Sequence, residues 1–287
     1  MRLSNRLFLL ALVCPLLAPP SAFAVQAGPL NILLANDDGW DAVGIQAMKN
    51  ALEAAGHNVT LVAPLVNQSG KSASLTFDLV PVQQMSPNEF AVDGTPATCV
   101  LLGISGILPS RPHLVVSGTN NGKNVGPDTP FSGTVGATIA ALRARLPAIA
   151  FSTDPPPGDP AQHFANVANF AVRLIARLKA VNPTPGVLPP RTALNVNYPA
   201  LALGQVQGVL VRVQGTAAPG ILTYTEVAPG VFAPSVGAPP PGEQEVPGAD
   251  GPAFNAGFIT VVPIDGNYTA SSNLLQLIAL LLGGLQP

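Results

Sequence analysis

The chain has 287 residues, a formal net charge of -2 and an apolar share of 47%. These values exclude a disordered polyelectrolyte and are typical of a globular protein with a sizeable core. Because the pI is about 5.9 and there is no basic run, the chain lacks the positive surface that holds a nucleic-acid polymer by its phosphates. We therefore expect one principal α/β domain with an appendage, acting on a small substrate.

The first 24 residues have the pattern of a secretory signal peptide. A basic start is followed by an apolar run over 7–17 and by a small-x-small cleavage site over 22–24. We therefore predict a mature chain that begins at Val25 and is exported to the periplasm or out of the cell, with no membrane anchor after cleavage. Cleavage leaves Cys99 as the remaining cysteine, so no internal disulfide is possible, and we expect a packed thiol.

Short apolar runs alternate with helical patterns along residues 25–182. In chain order the predicted elements are a strand over 30–35, a helix over 42–55, strands over 59–63 and 113–117, a helix over 133–146, a strand over 148–152 and a helix over 161–180. This alternation predicts a doubly wound, mostly parallel sheet covered by helices on both faces. Ligands bind such sheets beyond the carboxyl ends of the strands, at a topological switch point.

The pattern changes after about residue 183. Short β-prone segments separated by Pro- and Gly-rich turns lie at 193–198, 206–213, 221–227 and 257–263. They predict a sheet extension over 183–287 that includes a projecting hairpin arm near 215–255. Because this arm carries little charge, we expect it to pack on something, with another subunit as one option. The apolar segment 274–285 is shorter than the ~20 residues of a membrane span and predicts a packed C-terminal helix or an oligomer contact.

Two adjacent carboxylates, Asp37 and Asp38, follow the first predicted strand in the sequence Asn-Asp-Asp-Gly. Their charges repel each other unless a cation or a helix N-terminus neutralises them, and hard divalent cations such as Mg²⁺ prefer oxygen ligands. An Asx turn or a helix N-cap would also use these residues, and this short motif alone leaves that alternative open.

Polar residues also follow the second and third predicted strands. Ser69 lies in a turn after the second strand, and Asn120 lies in a Gly- and Asn-rich turn after the third. Ser132, Gly133 and Thr134 then open a helix, where free backbone N–H groups and two hydroxyls favour an anion such as phosphate. Ordinary turns and an N-cap are the alternatives for each motif taken singly. In a doubly wound sheet these segments converge on one edge, which predicts a metal site beside an anion site and hence phosphate-ester hydrolysis.

These motifs together resemble those of the SurE family of metal-dependent 5'/3'-nucleotidases. The matching segments are 36–39 with 44–45, 62–64 with 67–70 and 74–76, 94–96 with 99–100, 115–120 with 122 and 124, and 132–137. The resemblance is dense over residues 31–152 and resumes more weakly at 195–199, at Asp250 and at 257–263. Five ordered motifs at the family's spacing make a chance similarity improbable.

The resemblance implies a Rossmann-like core with a swapped C-terminal arm, a homodimer or homotetramer, and hydrolysis of nucleoside 5'- or 3'-monophosphates. For an exported member it also implies a broad-specificity acid phosphatase as an option. The nucleophile would be a water activated by Mg²⁺ or Mn²⁺. The implied site residues are Asp37, Asp38, Ser69 and Asn120 as metal ligands, Ser132, Gly133 and Thr134 at the phosphate, and Asn36, Asp37 and Asp38 as catalytic residues, with Asp37 orienting or deprotonating the water.

Two further residues, Trp40 and Asn124, are candidates for the substrate rim. Trp40 would either stack on a nucleobase or cover the helix that follows it. The chain also departs from the family at Asp41, Pro127 and Thr98, where members often carry His, an acidic residue and Asp. These departures surround the predicted pocket and bear on its substrate preference.

Other kinds of site find less support in the sequence. The three histidines, His57, His113 and His163, lack the spacing of metal ligands and are predicted to lie at the surface. A nucleotide-binding oxidoreductase would need a Gly-x-Gly-x-x-Gly after the first strand, which is absent. The competing hypothesis is an exported protein that binds nucleotides or phosphate esters on the same fold without hydrolysing them.

Overall fold

The computed structural model describes residues 28–156, 158–182, 186–189, 191–218, 220–239, 241–269 and 271–282. The predicted signal peptide therefore lies outside the described residues. The strands are β1 (Asn31–Ala35), β2 (Asn58–Pro64), β3 (Val82–Ser86), β4 (Glu89–Val92), β5 (Leu114–Asn121), β6 (Ala148–Thr153), β7 (Ala193–Tyr198), β8 (Val209–Val211), β9 (Leu222–Ala228), β10 (Val231–Val236) and β11 (Ile259–Ile264). The α-helices are α1 (Val43–Ala54), α2 (Pro96–Leu102), α3 (Gly133–Arg143), α4 (Pro160–Val181), α5 (Asp250–Asn255) and α6 (Ser272–Leu281).

A nine-stranded sheet in the order β3-β4-β2-β1-β5-β6-β7-β11-β8 forms the centre of the molecule. Strands β4, β2, β1, β5, β6 and β7 pair in parallel, whereas β3 and β11 each run antiparallel to one neighbour. The predicted α/β fold with a doubly wound, mostly parallel sheet is confirmed. The predicted strand boundaries agree with the structure to within a few residues, except that β5 continues to Asn121 and β8 is shorter than its β-prone segment.

Helices cover both faces of this sheet. The apolar positions of α1, including Ile45, Met48 and Leu52, are fully buried with residues of α4 against one face, and the two helices contact each other. Helices α2 and α3 pack together on the other face, where Cys99 lies fully buried in a second core. The central strands are apolar on both sides because both of their faces are covered.

The C-terminal segment extends the same sheet instead of forming a separate one. Strand β7 pairs with β6, and β11 and β8 continue beyond it to the edge. The predicted arm is present as the separate antiparallel hairpin β9–β10, and a C-terminal helix is present as α6. All residues of α6 are exposed, so the packed form of this helix that the sequence predicted is wrong, and an oligomer contact stays a prediction. No helix among the described residues is both long and apolar enough to cross a membrane.

Strands β3 and β4 are elements that the sequence analysis did not predict. Strand β3 is the exposed edge of the sheet, and its segment Val-Gln-Gln-Met-Ser lacks the apolar run of a buried strand. Strand β4 has four residues. Short strands of mixed polarity carry little periodic signal, so tertiary pairing with β2 determines this part of the sheet.

The surface position predicted for His163 is wrong. This side chain on α4 is 4% exposed, its Nε2 lies 2.6 Å from the Thr153 hydroxyl, and its ring packs edge-on against Tyr198. Because the Thr153 hydroxyl donates to the Tyr198 carbonyl, it accepts from His163 Nε2–H. Burial lowers the pKa of His163 and favours the neutral ring. The periodicity of α4 places position 163 on its buried face, and this tertiary contact explains the histidine there.

Candidate active site

The topological switch point of the sheet lies between β1 and β5. The chain leaves β1 for β2 on one side and later returns to β5 on the other side of β1. The carboxyl ends of these two adjacent strands therefore border a crevice, which is where open α/β sheets bind ligands. Asp37 and Asp38 lie in the loop that follows β1, and Asn120 is the second-last residue of β5. The sheet thus brings together three of the predicted metal ligands.

Asp37 lies against the N-terminus of α3. Its side chain is 3% exposed, and its Oδ1 accepts a hydrogen bond of 2.6 Å from the Thr134 hydroxyl. A Cβ at Gly133 would lie only 2.8 Å from the Asp37 carboxyl group, so this contact requires a glycine. The helix N-terminus favours negative charge, and the first anion that it meets is this carboxylate.

Asp38 connects the first loop to the end of β5. Its Oδ2 accepts a hydrogen bond of 2.9 Å from the Asn121 backbone N–H. The loop after β2 joins the same group, because the Gln68 N–H donates to the Asp37 carbonyl at 2.7 Å. Ser69 follows directly and is exposed. The loops after β1, β2 and β5 therefore meet around the two carboxylates.

Burial raises the pKa of both carboxyl groups. For Asp37, desolvation outweighs the opposing hydrogen bonds from Thr134 and from nearby backbone N–H groups. For Asp38, desolvation and the neighbouring Asp37 charge raise the pKa to about 6, although the Asn121 N–H opposes them. Two partly desolvated carboxylates are thus held side by side, and no basic side chain of the described residues affects the pKa of either. Such a pair is stabilised when a cation binds.

The donor atoms present fit a hard divalent cation. Asn36 Oδ1 is buried and has no hydrogen-bond partner among the described residues. The Asn120 amide nitrogen donates to the Gly122 carbonyl at 2.6 Å, so the other atom of this amide group is an oxygen that can accept. No group of three or more His, Cys, Asp or Glu that could hold a metal is present in the described part of the chain. The set is therefore two carboxylates with neutral oxygens, which suits Mg²⁺ or Mn²⁺ better than a metal that prefers nitrogen or sulfur ligands.

The predicted phosphate residues lie at the same place, but their hydroxyls have protein partners. The Ser132 Oγ caps α3 by accepting from the Val135 N–H at 3.1 Å. The Thr134 hydroxyl donates its proton to Asp37. The Thr134 hydroxyl therefore orients the carboxylate and is not a free donor, whereas the Ser132 hydroxyl retains its own proton for a ligand.

Asn36 and Trp40 take part in local structure. The Asn36 side chain donates to the Gly39 carbonyl at 2.8 Å and so closes the turn that carries the carboxylates. Trp40 is half-buried, and its side chain packs against the core beneath α1. The backbone N–H of Trp40 donates to the Pro64 carbonyl at 2.9 Å. Of the two roles considered for Trp40, this packing favours covering the helix.

The predicted rim position of Asn124 is wrong. Asn124 is 8% exposed, and its side-chain amide donates to the Ser152 hydroxyl at 2.7 Å. Its backbone N–H donates to Asn197 at 2.7 Å. Asn124 is thus buried beneath the site, because strands β6 and β7 supply polar partners that its own sequence segment does not reveal.

Comparisons with known proteins show the family to which the chain belongs. The family model for the survival protein SurE matches residues 32–219. The chain is 39% identical over 259 residues to "5'-nucleotidase SurE" of Stenotrophomonas maltophilia, which covers 89% of this chain and 97% of that protein. It is 38% identical over 258 residues to the protein of the same name from Xanthomonas campestris pv. campestris, with the same coverage. The chain belongs to the SurE family.

A solved SurE structure has the same fold. The crystal structure of the SurE protein from Aquifex aeolicus superposes with a TM-score of 0.73 at 31% sequence identity. The match covers 88% of this chain and 99% of that one. The predicted membership of the SurE family and the predicted fold class are therefore confirmed.

One departure from the usual SurE residues has a structural explanation. Thr98, where family members often carry Asp, is buried, and its hydroxyl oxygen accepts a hydrogen bond of 2.8 Å from the Thr76 N–H. It also lies 2.9 Å from the Thr95 hydroxyl. Thr98 therefore supports the segment after the second loop, and threonine supplies the acceptor oxygen that this position needs.

The sequence analysis missed the residues that support the site from below. Asn195 and Asn197 on β7 and Asp250 at the start of α5 are fully buried and bind the backbone of the segment that follows β5. Alternate residues of a strand point to the same face, so the pattern Asn-x-Asn inside an apolar strand was a signal for a buried polar network.

A cavity of about 550 Å³ lies beside α3 but is separate from these carboxylates. It is lined by Val135 and Ile139 of α3, by Ser72, and by residues of the C-terminal segment such as Ile264 and Tyr268. None of the predicted metal ligands lines it. The predicted metal ligands therefore lie at the switch point and not in this cavity.

Asp38→Asn should raise the melting temperature of the metal-free protein at pH 7 by about 2 to 6 °C. The folded pKa of Asp38 is raised, so the stability contributed by its protonated form is complete below about pH 4 and is lost as the pH rises through about 6. The gain should therefore disappear near pH 4. Thermal melts of the wild type, Asp38→Asn and the exposed control Asp41→Asn would test this, and an equal gain at both pH values would contradict it.

Proposed function

We propose that this SurE protein is a metal-dependent phosphomonoesterase that hydrolyses nucleoside 5'- or 3'-monophosphates. The observation that carries the proposal is the adjacent pair of Asp37, which is buried, and Asp38, which is half-buried, at the switch point, with the N-terminus of α3 beside it. The name 5'-nucleotidase SurE, borne by relatives that are 38–39% identical over most of the chain, supports the same activity. A protein that binds but does not hydrolyse the ester is less favoured, because every candidate metal ligand has a suitable oxygen.

Asp37, Asp38, Asn120 and Ser69 would hold the divalent cation, which we take to be Mg²⁺ or Mn²⁺. When bound, the cation would neutralise the phosphate charge and make a water molecule more acidic. The Asn121 N–H fixes the Asp38 carboxylate, and the Thr134 hydroxyl fixes that of Asp37. Both ligands are therefore oriented before substrate arrives, which reduces the reorganisation needed in the transition state.

The start of α3 would receive the phosphate group. The candidate donors are the Ser132 hydroxyl and the first backbone N–H groups of the helix. They are adjacent in sequence to Gly133 and Thr134, which contact Asp37. Asp37 would orient the attacking water and accept its proton, since its carboxylate lies between the helix N-terminus and the loops after β1 and β2. Phosphate oxygens and water would then meet next to one carboxylate.

Asp37→Asn should lower kcat for 5'- and 3'-nucleotides by roughly 10²- to 10⁴-fold, because the asparagine cannot take a proton and is a weaker ligand. Phosphate release would be measured with Mn²⁺ or Mg²⁺ and with chelator, over a panel that includes p-nitrophenyl phosphate. The matched control Asp41→Asn removes an exposed carboxylate from the same loop and should retain activity on p-nitrophenyl phosphate, because Asp41 is expected to bear on substrate preference and not on the reaction itself.

Two results would contradict the proposal. Full activity of Asp37→Asn would remove this carboxylate from the reaction. Absence of turnover by folded, metal-supplied wild type on every ester would leave the binding protein as the better hypothesis. The panel would also separate a nucleotidase from a broad-specificity acid phosphatase.

We also propose that the protein is a homodimer or homotetramer built through its hairpin arm. The strand register of β9 and β10 places Glu226 and Pro234 on one face of the hairpin together with four apolar side chains, those of Leu222, Tyr224, Phe232 and Val236. These four apolar side chains are 57–75% exposed. The opposite face carries Thr223, Thr225 and Ser235 and is polar. An apolar face of this kind is typical of a surface that is covered by another protein.

Phe232→Asp should therefore shift the protein to smaller assemblies, because it removes a large apolar side chain from this face and places a second negative charge opposite Glu226. Thr225→Asp introduces the same charge on the polar face of the same hairpin and should leave the assembly unchanged. Light scattering coupled to size-exclusion chromatography gives the mass of each. Equal masses for Phe232→Asp and the wild type would exclude this face as the contact.

We propose in addition that the chain is exported and cleaved before Val25. The basic start, apolar run and small-x-small site support this, as does the small number of charges in the first 24 residues. Expression with the natural N-terminus should give a periplasmic or extracellular protein whose intact mass matches a chain that starts at Val25. Replacing the apolar run with polar residues should retain the full-length precursor inside the cell, and an unprocessed exported chain would contradict the cleavage site.

A further inference from the structure

The segment 122–131 connects the two halves of the proposed active site. It begins after Asn120, a proposed metal ligand, and ends before Ser132, which caps the helix that would receive phosphate. Its only regular structure is a short 3₁₀ turn over Gly126–Phe131. The path of this segment therefore has to be fixed by contacts with other parts of the chain.

One anchor holds the segment at Asn124. The Asn197 side chain accepts from the Asn124 N–H at 2.7 Å and donates to the Asn124 carbonyl at 3.0 Å. The Asn195 side chain donates to the same carbonyl at 2.8 Å. Both partners are fully buried on β7. They satisfy the backbone of Asn124 as a neighbouring strand would, so the segment is fixed to the sheet there.

A second anchor holds the segment two residues further on. Asp250 is fully buried, and its carboxylate accepts backbone N–H groups of Gly126 at 3.1 Å, Gly215 at 2.8 Å and Gly251 at 2.9 Å. No ion pair of Asp250 is present in the part of the chain that the structure describes. A buried carboxylate is costly unless hydrogen bonds satisfy it, and here three separate backbone donors do so.

Asp250 also joins this segment to the base of the arm. Gly215 precedes the hairpin, so a single carboxylate binds the arm base and the site segment at once. Glu245 holds the arm base as well, since it accepts from the Thr216 N–H at 2.7 Å. Glu245 is half-buried, and among the described residues it has no hydrogen bond to the segment 122–131. The two acidic residues therefore share the arm contact but differ in the contact to the site.

We propose that Asp250 and Asn197 are positioning residues of the phosphatase site. They hold the segment 122–131 so that Asn120 and the start of α3 keep the separation that a cation and a phosphate require. Asp250 in addition makes this separation depend on the docking of the arm. The inference rests on the proposed function, because it assigns both ends of the segment to one reaction.

The test compares Asp250→Asn with Glu245→Gln. Oδ1 of Asp250 accepts from all three N–H groups, and Oδ2 accepts a second time from Gly126 at 3.2 Å. An asparagine at 250 would replace Oδ2 with an NH₂ group that faces the Gly126 N–H donor, and it would remove the negative charge that strengthens the remaining bonds. Asp250→Asn should lower kcat about 10-fold or more and raise the dissociation constant of inorganic phosphate several-fold in the presence of Mn²⁺. Glu245→Gln should stay within about 2-fold of wild type in both, with the same assembly mass.

Asn197→Asp provides a second variant that does not rely on Asp250. It keeps the acceptor for the Asn124 N–H but removes the donor to the Asn124 carbonyl. Like Asp250→Asn, it should lower both kcat and phosphate affinity. If Asp250→Asn does not fold, this variant alone tests the positioning role. Circular dichroism and thermal melts identify folded protein.

Calorimetric titration with Mn²⁺ and inorganic phosphate separates this inference from the activity itself. If wild-type protein binds both but hydrolyses nothing, the proposed function fails, and the affinities of the variants still test the positioning. Wild-type kcat and phosphate affinity in folded Asp250→Asn and Asn197→Asp would overturn the inference. Equal losses in Glu245→Gln and Asp250→Asn would also overturn it, because they would trace the effect to the arm base alone.

Discussion

The contact between the Asp37 carboxylate and the N-terminus of α3 is the constraint on which the rest of the site depends. The carboxylate lies two residues after the end of β1, and the helix begins with a glycine whose replacement by any larger residue would place a Cβ against that carboxylate. The Thr134 hydroxyl then fixes one carboxylate oxygen at 2.6 Å. Because the helix and the strand meet at this point, the loops after β1, β2 and β5 have to pass around Asp37. The position of the proposed cation follows from that arrangement.

This arrangement has a cost in the stability of the protein without a bound cation. Burial raises the pKa of Asp37 and Asp38, which means that the folded protein disfavours their charged forms at neutral pH. The buried Asn36 Oδ1, which has no partner among the described residues, adds an unsatisfied acceptor at the same place. Because the charged carboxylates are unfavourable without a neutralising partner, the site binds a cation or a positively polarised group more tightly. The two apolar cores on either side of the sheet supply the stability that offsets this unfavourable charge in the folded protein.

The sequence predicts those features that are encoded locally and misses those that arise between distant segments. Strands β1, β2, β5 and β6 each carry an apolar run, and the polar residues of the site follow these runs closely in sequence, so both are visible without a structure. The burial of Asn124 and His163 depends instead on Asn197, Ser152 and Thr153 from other strands. From sequence alone, a polar residue is predicted to be exposed, because its hydrogen-bond partner in another segment is not known. The edge strand β3 was not predicted because its sequence has no apolar pattern. It is a strand because it pairs with β4.

The same distinction applies to the division of the chain near residue 183. Composition separates a core from a Pro- and Gly-rich C-terminal part, yet β7 and β11 belong to the central sheet. Asp250 lies 124 residues from Gly126 in sequence and binds it directly. A carboxylate that binds backbone donors of the site segment and of the arm base makes the geometry of one sensitive to the position of the other. The C-terminal part is therefore better regarded as a component of the active site than as an appendage, because removing it would leave buried backbone donors of that segment without their acceptors.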